Sequence, residues 1–152
     1  MKPIMYSLIV LFLPFFISCS NETIYNKVAG VNYGTSFGMC VGYCKRDVSV
    51  DSINTKVNCS SWSAELKPIS KVIQTSKSTW DSVRVLLNSK EFLLLPETIG
   101  CPDCADGGAE WLELKMANGE MHKVTFEYYH EPEILKNYLG ALRTILNKNA
   151  CK

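Results

Sequence analysis

An excess of charge of one sign is the first thing this sequence lacks. Its 152 residues carry 16 lysines and arginines against 15 aspartates and glutamates. Lys2 is the only charged residue before position 19, so the remainder sets 15 bases against 15 acids. Without a basic surplus there is nothing to neutralise a phosphate backbone, and nucleic acid is excluded as an expected partner. Catalytic signatures are missing as well. The chain has no G-x-S-x-G turn, no phosphate-cradling glycine loop and no H-E-x-x-H helix. Histidine is scarce: His122 lies in a predicted strand and His130 at its end, roughly 26 Å apart if the strand is straight, too far to share a metal. Neither an internal repeat nor a low-complexity tract occurs. These absences lean the reading away from an enzyme and toward a binding or interaction domain, with no cofactor expected.

What is present begins at the amino terminus. From Tyr6 to Ile17 the chain is almost wholly apolar, is interrupted by Pro14, and falls short of the ~20 apolar residues of a membrane-spanning helix. Residues 1–18 therefore read as an export signal to be left out of the fold. The run closes on Phe16-Ile17-Ser18-Cys19 and gives way to polar Ser20-Asn21-Glu22-Thr23, a pattern similar to a bacterial lipobox, although stricter ones place Ala or Gly where Ile17 stands. Acylation of the Cys19 thiol, with palmitate among the expected acyl groups, would anchor the chain to a bilayer through lipid. The expected address is the cell envelope of a bacterium, at the outer membrane. The expected partners are the membrane itself and an envelope protein or small ligand. Residues 19–26 then form the lipidated cysteine and its tether, and 27–152 one globular domain of ordinary single-domain length.

Alternation and punctuation within that domain predict an α+β fold. Strands are expected over Val28–Tyr33, Tyr43–Asp51 and Asn54–Ser60. In the second of these, Arg46, Val48 and Val50 take one face and Asp47, Ser49 and Asp51 the other. A helix over Thr79–Asn88 follows, with Ser78 as its N-cap and Trp80, Val83, Leu86 and Leu87 near helical spacing. Asn118-Gly119 marks a hairpin between Ala109–Ala117 and Glu120–Tyr129. A last helix runs from Pro132 to Asn147 with Ile134, Leu135, Tyr138, Leu139, Leu142, Ile145 and Leu146 as its buried stripe. The order β-β-β-α-β-β-α implies a mostly antiparallel sheet of about five strands with two helices on one face. On the hairpin's open face Trp111, Lys115 and Tyr129 form a candidate binding surface.

Six cysteines remain once Cys19 is assigned to lipid: Cys40, Cys44, Cys59, Cys101, Cys104 and Cys151. In an oxidising compartment an even number points to structural disulfides, and spacing alone does not choose the pairing. Cys59 with Cys151 would tie the sheet to the end of the last helix across a long loop. An alternative joins Cys40-Val41-Gly42-Tyr43-Cys44 to Cys101-Pro102-Asp103-Cys104 as a four-thiolate zinc or copper site, since close spacing lets each turn aim two sulfurs at one ion. A thiol-disulfide centre at Cys101 and Cys104 is a further alternative. It lacks the helix that ordinarily follows such a pair and lowers the first thiol's pKa. Asp103 and Asp106 in the same loop suit local turn hydrogen bonds better than an EF-hand.

Through Cys40-Val41-Gly42-Tyr43-Cys44 the chain resembles a family of small uncharacterised bacterial lipoproteins whose domain begins with C-x-G-x-C before a strand. The resemblance spans about Val28 to Lys148. Lys45, where that family often has Pro, and the added Cys101 and Cys104 depart from it. It implies the envelope address and the α+β fold, and carries over no catalytic residue.

Overall fold

The computed structural model describes residues 28–85, 89–149 and 151. The signal segment, Cys19 and the tether lie outside these residues, as do Leu86, Leu87 and Asn88. No helix among the described residues is long and apolar enough to cross a membrane.

The elements are β1 (Val28–Ser36), β2 (Lys45–Asp51), β3 (Asn54–Ser60), β4 (Ile69–Gln74), α1 (Lys77–Val85), α2 (Ser89–Phe92), β5 (Thr98–Ile99), β6 (Ala109–Met116), β7 (Met121–Glu127) and α3 (Lys136–Lys148). They form one sheet in the order β4-β3-β2-β1-β6-β7-β5. Every neighbouring pair is antiparallel except β5 with β7. The fold is thus α+β and mostly antiparallel, but with seven strands and three helices among the described residues where the sequence predicts about five and two. The extra elements have physical reasons for escaping detection. β4 is an edge strand exposed along nearly its whole length, so Ile-Ser-Lys-Val-Ile-Gln shows no period of two. β5 spans two residues and α2 a single turn, too short for any period.

The first strand takes the centre of the sheet because both of its edges find partners. Tyr33 stands opposite Val48 on one side and Leu112 on the other. That register puts Val31, Tyr33, Val48, Val50, Val57, Leu112, Leu114, Val124 and Phe126 on one face, where Val83, Phe92, Leu135, Tyr138, Leu139, Leu142 and Leu146 from the helices meet them. Each such side chain taken out of water contributes about 1.5–3 kcal/mol. Ile134 does not join them and is 43 % exposed. It sits in the 3-10 turn Glu133–Leu135 that precedes α3, where the 3.6-residue spacing has not yet begun. The cap of α1 is Ser76 rather than Ser78: Ser76 Oγ accepts the Thr79 N–H at 3.1 Å, the geometry of an N-cap to the third helical residue.

Three disulfides occur among the described residues. Cys59 and Cys151 join β3 to the end of α3, with their Cα atoms 6.2 Å apart across a sequence separation of 92. Cys40 pairs with Cys44 and Cys101 with Cys104, at Cα separations of 5.6 Å and 5.5 Å. All three distances suit the bond.

Candidate functional site: the uncovered face of the sheet

Opposite the helices the sheet carries polar side chains. Because successive strand residues alternate, the register that buries Tyr33 and Leu112 leaves Asn32, Gly34, Trp111, Asp47, Ser49 and Asn58 on this second face. They form a chain of hydrogen bonds that crosses strand after strand. Trp111 donates its indole N–H to Asn32 Oδ1 at 2.7 Å. Asn32 Nδ2 donates to Ser49 Oγ at 2.9 Å and to Asp47 Oδ2 at 3.2 Å. Asn58 donates to the same Asp47 oxygen at 2.8 Å, and Ser70 on β4 donates to Asn58 Oδ1 at 3.0 Å. A network with this many partners holds its members in fixed rotamers.

Gly34 makes room for the indole. A Cβ there would lie 2.1 Å from a ring carbon of Trp111, so only glycine lets the ring lie flat on β1. The ammonium groups of Lys123 and Lys45 stand 4.9 Å and 5.6 Å from the ring centroid, near enough for cation–π attraction. Trp111 is consequently only 6 % exposed. It lies on the open face as predicted by its parity, but as a buried anchor and not as a free contact residue, because parity sets the side of the sheet and says nothing of what covers the ring.

Beside this anchor is a cleft of about 230 Å³ lined by Gly30, Asn32, Ser49, Glu113, Lys115 and Met121 among others. It adjoins a shallower one of about 360 Å³ that shares Glu113 and Met121 and adds Glu97, His122 and Lys123. Lys115 is exposed at the rim. The cleft's charged groups are Asp51, whose Oδ1 accepts the Ile53 and Asn54 N–H groups, and Glu113 and Lys115, which among the described residues bond no other side chain, so it offers carboxylate acceptors beside one ammonium donor.

Tyr129 does not belong to this surface. β7 ends at Glu127, and Tyr129 adopts a left-handed conformation with φ 59° that breaks the alternation. Its ring faces the Arg143 guanidinium on α3, 4.5 Å away, on the helical side of the sheet. His130 likewise lies past the strand, bonding the Tyr128 carbonyl through Nδ1 at 3.1 Å. His122 remains in β7, its Nε2 3.2 Å from the Leu95 carbonyl.

A second polar cluster lies beneath the helices. Glu110 is fully buried, and Arg143 binds both of its oxygens as well as both oxygens of Glu131. Tyr33 donates to Glu110 Oε1 at 2.8 Å. Burial first, and the neighbouring Glu110 second, push the Tyr33 hydroxyl well above the ordinary phenol value, so it stays a donor. The Arg143 hydrogen bonds hold Glu131 below the usual carboxylate range. Burial works against the charge on Arg143, but the two glutamates outweigh it and its pKa is raised. Two signals for this cluster stood in the sequence: Glu110 shares the parity of Leu112 and Leu114, and Arg143 adjoins the apolar stripe of the last helix. The hydrogen-bond row on the other face had no comparable signal, since isolated Asn and Ser residues in strands are ordinary solvent-facing groups.

The two short cysteine loops approach each other. Gly38 donates its N–H to Asp103 Oδ1 at 3.2 Å, and the Phe37 ring fills the space over Gly108, where a Cβ would come within 2.4 Å of it. With each pair of sulfurs closed on itself, no group of three or more metal-ligating side chains occurs among the described residues.

Compared with family models and with curated proteins, the chain matches none.

Proposed function

We propose that this chain is a lipid-anchored protein of the bacterial cell envelope whose folded domain binds a small polar ligand on its uncovered sheet face, without turning it over. The address rests on the signal segment and on Cys19. The binding role rests on one observation above the others: a rigid hydrogen-bonded row anchored by Trp111 borders a cleft lined by Asp51, Glu113 and Lys115, the last two with no side-chain partners among the described residues. Most of a sheet's exposed face is merely solvated. Here the neighbouring side chains are preorganised, which lowers the ordering cost that a ligand would otherwise meet.

Titration of the isotopically labelled protein with sugars, amino acids and short peptides tests this reading. The expected result is amide shifts confined to Gly30, Asn32, Ser49, Glu113 and Lys115, abolished by Glu113→Gln combined with Lys115→Met. Shifts absent throughout the series, or a reproducible turnover lost on a single substitution, would sink it.

One observation favours a second reading, zinc or copper held by Cys40, Cys44, Cys101 and Cys104: the two loops touch through Gly38 and Asp103. Such a site requires all four thiols reduced. Elemental analysis of protein reduced and repurified with zinc would then find about one metal per chain.

A further inference from the structure

The Cys101–Cys104 loop differs from the other two disulfides in three independent ways. Both of its cysteines are exposed, whereas Cys44 and Cys59 are buried at 2 % and 1 % exposure. The backbone around it is held in a costly shape: Asp103, Ala105 and Asp106, none of them glycine, all adopt left-handed conformations with φ of 62°, 50° and 59°. Left-handed backbone is unfavourable for residues with a Cβ, and this density of them is found where surrounding bonds over-determine the chain. Finally, the sulfurs border a concavity of about 170 Å³ lined by Cys101, Cys104, Gly107, Glu127, Tyr128 and His130, large enough for a small molecule.

We propose that Cys101–Cys104 is a thiol-exchange site for a low-molecular-weight thiol, and that its opening is transmitted to the Cys40–Cys44 loop. The incoming thiolate attacks one sulfur of the pair, a mixed disulfide forms, and the S–S bond electrons leave on the other sulfur, which takes a proton from water. A second equivalent of the same thiol then displaces the remaining cysteine. Two thiols are oxidised to a disulfide and the protein disulfide is reduced to two thiols. No helix of useful length follows the pair, since Cys104–Asp106 is a single 3-10 turn. The pair therefore lacks the helix N-terminus of a fast oxidoreductase, which suits a slow sensor of ambient thiol.

Transmission follows from what the crosslinked turn holds. Asp103 N–H is bonded to the Gly108 carbonyl at 3.1 Å, and Asp103 Oδ1 accepts the Gly38 N–H. Phe37, next to Gly38, packs on Gly108 and on Tyr128 and receives the Trp62 indole N–H at its carbonyl. Once the crosslink is cut the left-handed turn keeps only its hydrogen bonds, among them Asp103 N–H to Gly108 and Cys101 N–H to Glu127, and the Asp103 acceptor of Gly38 is held less firmly.

The test is graded reduction of the native full chain with glutathione, followed by alkylation, peptide mapping and amide exchange. Labelling of Cys101 and Cys104 is expected at least about tenfold ahead of the other four domain cysteines, with the fold intact and with faster exchange at Gly38. A Cys104→Ser variant should capture glutathione at Cys101 from glutathione disulfide. Reduction of all three bonds together, earlier labelling of Cys40 and Cys44, or unchanged exchange at Gly38 after selective reduction would overturn the proposal.

Discussion

At the scale of single residues, the two faces of the sheet are each organised around one side chain that ordinary rules would place elsewhere. Trp111 lies on the helix-free face and is nonetheless covered, because Gly34 gives up its side chain to the indole. Gly34→Ala is expected to displace the ring and cost about 1–3 kcal/mol, the usual penalty of overpacking, read by urea denaturation and by loss of the Trp111 fluorescence environment. Glu110 lies under the helices, an acid inside the core, and Arg143 reaches it from α3. Arg143→Met should cost about 3–5 kcal/mol by leaving a buried carboxylate without its cation. Its pH dependence has a definite sign. Arg143 lowers the Glu131 pKa from its ordinary 4.5, so the stabilisation is complete above that value and fades as pH falls through the depressed folded value. The gap between wild type and Arg143→Met is therefore expected to be widest at neutral pH and to narrow in acid, measured as unfolding free energy across the series. A gap that grows in acid would contradict the assignment.

Among elements, the sheet's centre and its edges were unequally legible. β2, β3, β6, β7 and α3 announce themselves through alternation, through Asn118-Gly119, or through a clean apolar stripe, since each has one buried face. β4 has none. Val72 is 57 % exposed and Ile73 36 %, so nothing in the core disciplines its pattern, and Lys71 on this edge discourages pairing with another chain. Tyr129 shows the opposite limit: a strand's parity ends where the strand ends, and a single left-handed residue moved it from the predicted binding surface to the helical side. The elements are also joined covalently. Cys59–Cys151 closes the longest loop of the fold, so replacing both by Ala is expected to lower stability by about 4–5 kcal/mol, the chain-entropy value for a loop of roughly 90 residues. Calorimetry would show this as a lower Tm. An unchanged Tm would mean that β3 and α3 are held by packing alone.

For the whole molecule, the proposed envelope address and the fold make separate demands. Anchoring would depend on Cys19, so Cys19→Ser is expected to move the protein from the membrane fraction to the soluble one with its thermal unfolding unchanged. Retention in the membrane would remove the lipid reading while leaving the binding face untouched. The charge balance, the α+β class and the spacing of the cysteines could all be read from the chain by itself, because composition and short-range periodicity carry them. Which strands adjoin, which cysteines meet, and what covers Trp111 were settled only by the tertiary structure. Those depend on residues distant in sequence, such as Gly34 beneath Trp111 and Arg143 against Glu110, whose approach is set by sheet register and helix docking rather than by any local pattern.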